Sequence, residues 1–140
     1  MTKPVPAAPG RRRPVFLSAA VLLDVVTVQV GGEVGVGAAL GRWLDLRAAA
    51  VLGHSMGGRL ALGLHPPRGG AWAVRPAVEV RGALHGAGGD LAWGGGAWLG
   101  GTLEAGRGRL HSGVAVELFS GPATYYWYNV LLSVGYAVDL

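Results

Sequence analysis

From about Val15 to the C-terminus, apolar residues and small or polar residues take turns at a period of two. That period is the signature of strands with two unlike faces. The last run is the clearest. Tyr126, Tyr128, Val130, Leu132, Val134, Tyr136, Val138 and Leu140 alternate with Trp127, Asn129, Leu131, Ser133, Gly135, Ala137 and Asp139. The run is longer than an ordinary strand of about 5–6 residues and long enough for the roughly 9–11 that cross a membrane. The order recurs upstream at Leu110–Leu118, Leu91–Leu103, Trp72–Leu84, Leu60–Leu64, Leu44–Ala50 and Val34–Leu40, with a weaker first run near Val15–Val25.

Turn residues separate the runs: Gly31-Gly32, Gly41, Gly57-Gly58, Pro66 to Gly70, Gly86 to Gly89, Gly106 to Gly108 and Gly121-Pro122. The pattern predicts an all-β, eight-stranded antiparallel up-and-down barrel. An even-numbered meander can close on itself and abolish both sheet edges.

Alternation does not say which face is inside; two observations favour an inverted barrel. Charged residues are 14% of the chain, against about 25% for a soluble domain. The polar face is mostly glycine and alanine, whereas a solvated surface carries charge. The narrow lumen of an eight-stranded barrel admits small residues with a few large ones between them. The charges on that face also balance. Glu33, Asp45, Glu79, Glu104, Glu117 and Asp139 stand against Arg47, Arg59, Arg75, Arg81 and Arg109. Mutual pairing offsets much of the cost of taking charge out of water. The expectation is a transmembrane barrel with Leu, Val, Trp and Tyr toward lipid and a charge network in the lumen. Trp43, Trp72, Tyr125, Tyr126, Trp127 and Tyr128 lie near strand ends, where interfacial aromatics anchor. A soluble barrel binding a ligand in the manner of lipocalins, or a β-sandwich, would place the aliphatic face inward.

The net charge of +4 comes from Lys3 and the run Arg11–Arg13; the rest of the chain is neutral and offers no basic face for nucleic acid. Arg11–Arg13 before Val15–Leu23 has the order of a short signal peptide, but no small-x-small cleavage site follows before Asp24. The other reading takes residues 1–13 as a disordered Pro/Arg-rich leader and 14–140 as the barrel domain, with no export signal evident.

The last strand ends Ser133-Val134-Gly135-Tyr136-Ala137-Val138-Asp139-Leu140. It resembles the C-terminal sorting signal of small bacterial outer-membrane β-barrels, with Ser133, Gly135, Val138 and Leu140 on the four signal places. Leu140 stands where that family more commonly has Phe or Trp. The resemblance covers residues 15–140. It implies an outer-membrane location, contact with outer-membrane lipid, and insertion by the barrel assembly machinery. It names no ligand and no cofactor.

One motif points elsewhere. Gly53-His54-Ser55-Met56-Gly57 is G-x-S-x-G, the nucleophile elbow of α/β-hydrolases. Ser55, Asp90 and His111 would complete a triad in chain order, making a serine esterase the alternative. The surroundings argue against it: Arg59–Pro67 alternates and ends in proline, so the helix an elbow needs would be very short. His54, His65, His85 and His111 lack close metal-ligand spacing, and there is no cysteine. Glu79 and Glu104 are a further conceivable carboxylate pair whose register the sequence leaves open.

Overall fold

The computed structural model describes residues 15–53, 56–66, 74–87, 90–121 and 126–140. They form strands β1 (Val15–Asp24), β2 (Gln29–Ala39), β3 (Leu44–Leu52), β4 (Met56–Leu64), β5 (Val74–Ala87), β6 (Asp90–Ala105), β7 (Gly108–Ser120) and β8 (Tyr126–Asp139). Each strand pairs antiparallel with the next, and β8 pairs back onto β1 to close the barrel. The seam continues past β8, where the Leu140 amide donates to Val15 O at 3.0 Å. The eight-stranded antiparallel barrel expected from the alternation is the fold. The leader, residues 1–13, lies outside the described residues.

The register fixes the barrel's girth. Pairing leads from Val15 through Ala38, Leu46, Leu62, Val80, Ala97, Val116 and Val130 to Val25, whose amide donates to Val130 O at 2.9 Å. One circuit therefore shifts ten positions along the chain of β1. With about 3.3 Å per residue and about 4.8 Å between strands, that stagger tilts the strands by about 41°. The resulting backbone radius is about 8 Å, a lumen that side chains fill.

The faces follow the pleat. Leu17, Val34, Leu46, Leu60, Val80, Leu99, Val116 and Val134 are among the aliphatic side chains exposed on the outer wall. The inner wall holds Glu33, Asp45, Arg47, Arg59, Arg81, His85, Arg109 and Glu117, all buried. The aliphatic face thus points outward, the reverse of the arrangement in a soluble ligand-binding barrel.

Glycine makes the inner wall possible. Large inward side chains stand beside a glycine on the neighbouring strand: Phe16 with Gly37, Asp45 with Gly63, His85 with Gly57, Phe119 with Gly94, Glu117 with Gly96 and His111 with Gly135. A Cβ at any of these glycines would run into that side chain or the partner strand's backbone.

The fully described connections, β1–β2, β2–β3 and β6–β7, have four, four and two residues. Gly106 opens the two-residue link between β6 and β7 with φ +61°, the hand that suits a tight hairpin. In the β1–β2 turn Asp24 accepts from the Val26 amide at 2.9 Å and from Thr27 Oγ1 at 2.8 Å. Val28 ends that turn at φ 55°, a conformation that β-branched residues rarely adopt.

Candidate functional site

The alternation carries the odd-numbered positions of β2, β3, β4, β5 and β7 into the lumen, and the charges there meet as a closed ring. Glu33 takes Arg47 Nη1 on Oε1 at 2.5 Å and Arg59 Nη1 on Oε2. Arg59 Nη2 lies 2.9 Å from Oε2 and 2.8 Å from Oε1 of Glu117. Arg47 Nη2 donates to Glu79 Oε2 at 3.1 Å. Arg81 donates to the same oxygen through Nε at 2.9 Å, with Nη2 at 2.8 Å. Arg81 Nη1 closes the circle 3.8 Å from Glu117 Oε1. Three carboxylates and three guanidiniums thus alternate without net charge. Arginine suits the role because its planar fork offers donors in several directions at once.

A second cluster lies toward the rim that carries the end of β8. Asp45 Oδ2 is 2.6 Å from His65 Nε2 and 3.3 Å from Arg109 Nη2. Arg109 Nη1 reaches to 3.9 Å from Asp139 Oδ1, and its guanidinium stacks 4.6 Å from the Phe16 ring centre. Arg75 and Glu104 form a pair of their own at 3.2 Å, with Glu104 exposed. All eleven charged residues expected to share the lumen therefore have an ion-pair partner, but in three groups. Glu79 and Glu104 are separated: Glu79 belongs to the ring and Glu104 to the rim pair.

The lumen also holds large apolar side chains that the alternation of Leu and Val conceals. Trp98 is buried, donates from Nε1 to Ser133 Oγ at 2.9 Å, and lies beneath Arg81 at 5.6 Å. Phe119 stacks on Trp127 at 5.4 Å and meets His85 edge-on at 4.8 Å. Trp127, expected as an interfacial anchor, is therefore an inward residue, as its odd position on β8 dictates. The even position of Trp98 between Gly96 and Gly100 carried the same signal, masked by its apolarity. Trp43 and Tyr128 are exposed, whereas Trp72, Tyr125 and the side chain of Tyr126 lie outside the described residues.

Ser55 and His54 also lie outside the described residues. Their flanks are a hairpin: β3 and β4 are antiparallel, with Val51 opposite Gly57. Asp90 begins β6, whereas His111 on β7 faces Thr102. The twelve residue steps from Asp90 to Thr102 span about 40 Å of strand. Asp90 and His111 are thus not brought together. On β8, Ser133 and Gly135 face the lumen, whereas Val138 and Leu140 are exposed.

Comparison with protein-family models, with curated proteins and with solved structures gives no match to this chain.

Proposed function

We propose that this protein is a transmembrane β-barrel of the bacterial outer-membrane type, with a structural or interaction role and a lumen filled by side chains. The observation that carries this reading is the inversion of the two faces. Exposed aliphatic residues occur on all eight strands, and four arginines are buried inside. A soluble monomer rarely exposes contiguous apolar patches of more than a few hundred Å², whereas a lipid-facing wall requires them. Closure supports it further, because hydrocarbon tolerates no open sheet edge. Strands of 9 to 16 residues match the roughly 9–11 residues needed for a tilted crossing. The lipocalin-like alternative needs the aliphatic face inward, opposite to this wall.

In this reading outer-membrane lipid is the solvent of the wall. The C-terminal signal on β8 recruits the assembly machinery. The role is non-enzymatic, because the lumen's charges are engaged with one another.

The test is gel mobility of protein refolded in detergent, with and without boiling. A closed membrane barrel resists SDS until heated, so a shift on boiling is expected. No shift, together with full solubility in plain buffer, would overturn the reading. Fluorophosphonate labelling lost in Ser55→Ala would then support the serine hydrolase.

A further inference from the structure

The barrel is neutral in its body but polar along its axis. Lys and Arg outside the lumen fall at one rim, the one where β1 begins. Lys3 and Arg11–Arg13 precede β1, Arg42 lies between β2 and β3, Arg68 between β4 and β5, and Arg107 between β6 and β7. The four connections at the other rim hold no Lys or Arg, and the charged residues that flank them are Asp24 and Asp90. Arg42 and Arg107 are exposed. Among the described residues they are the arginines without an ion-pair partner. Both sit on firmly held turns. Around Arg42 the Leu40 amide donates to Leu44 O and the His65 amide to Trp43 O, each at 2.9 Å. Beside Arg107 the Tyr136 hydroxyl donates to Ala105 O at 2.5 Å. The outer wall next to each arginine is amphipathic. Trp43, Leu44 and Leu46 are exposed below Arg42. Below Arg107, Leu103, Leu110 and Tyr136 stand in one cross-strand row.

We propose that this rim docks on an anionic phospholipid surface, with Arg42 and Arg107 each holding a headgroup phosphate. The inference rests on the membrane-barrel reading and adds to it the charge of the lipid and the rim that meets it. The two turns are four strands apart around a closed ring of eight, so they face opposite ways. On a barrel of about 8 Å radius they stand roughly 16 Å apart. One small anion does not bridge that distance, whereas a plane of headgroups meets both arginines at once. Each arginine also has the neighbours that a phospholipid requires. The amphipathic rings of Trp43 and Tyr136 suit the headgroup level, and the leucines beside them suit acyl chains. A guanidinium matches phosphate with two parallel donors. Unpaired arginines are costly in hydrocarbon, which sets both of them at or beyond the headgroups. Asp24 and Asp90 at the other rim repel an anionic surface, so the same distribution of charge also orients the barrel.

Trp43 reports on the lipid beside Arg42. The full chain with Trp72→Phe and Trp93→Phe keeps Trp43 together with the lumenal Trp98 and Trp127. It is refolded into phosphatidylcholine vesicles that contain either phosphatidylglycerol or phosphatidylcholine with brominated acyl chains, at the same mole fraction. Bromine quenches a tryptophan that it touches. Phosphatidylglycerol should win contact with Trp43 about fivefold over phosphatidylcholine at low salt, the worth of one arginine at an anionic surface. The preference should fall as salt screens it. Arg42→Gln should abolish it, whereas Arg107→Gln, across the barrel, should leave it intact. A reciprocal chain with Trp43→Phe and Leu110→Trp added to the same background should show the opposite dependence. Equal quenching by the two lipids, or a preference that survives Arg42→Gln, would overturn the docking while leaving the barrel in the bilayer. Absence of quenching by either lipid, together with absence of a heat-modifiable form, would instead overturn the membrane reading on which the docking rests.

Discussion

Glu117 has no exposed surface, and Arg59 against it has 3%. Removing one partner of so buried a pair leaves a charge with too few counter-charges, at a cost of about 3–5 kcal/mol. Glu117→Ala is therefore expected to lower the urea midpoint of the refolded barrel sharply. Adding Arg59→Leu should recover part of the loss, and a double-mutant cycle measures the coupling. The glycines divide the same way. Gly82 points outward with open space where a methyl would stand, so Gly82→Ala should be neutral or stabilising by about 0.4–1 kcal/mol. Gly135→Ala would drive a methyl into the His111 ring and the Ala19 carbonyl, so the same urea titration should show clear destabilisation. Outside, Val134 is 61% exposed on β8. In the proposed bilayer, Val134→Arg should cost about 2–4 kcal/mol near the midplane and reduce the heat-modifiable fraction. Normal assembly of that variant would refute the lipid-facing assignment.

Each strand was legible from its alternation because the pleat alone decides which residues share a face. Strand ends were less so, because pairing rather than propensity sets them. Gln29 and Val30 join β2 through their partners Asp24 and Leu23, although Gly31-Gly32 read as a turn. Gly57-Gly58 likewise sits inside β4, opposite Val51 and Ala50. In both places a cross-strand ladder overrides the local preference of glycine for turns. The β1–β2 turn carries a strain of its own at Val28. Val28→Gly should relieve the left-handed conformation and stabilise the barrel by about 1 kcal/mol, read as a higher unfolding midpoint.

At the scale of the whole molecule, closure brings together what the chain keeps far apart. Arg59 and Glu117 are 58 positions apart in sequence and meet only because the wall between them curves around the lumen. The stagger of the barrel makes a prediction at this scale too. Polarised infrared spectroscopy of oriented membranes should report a strand tilt of about 41°. A flat or weakly ordered amide signal would contradict the closed register.

By itself the sequence determined the number of strands, their faces and the charges that share the lumen. These follow from a two-residue period and from the need of buried charges to balance. Only the tertiary structure decided that the charges divide into a ring, a rim cluster and a separate pair. It also decided that Trp98, Phe119 and Trp127 fill the lumen beside them. Those choices depend on the register between strands and on the stagger around the barrel, which set the height at which each inward side chain meets its neighbours.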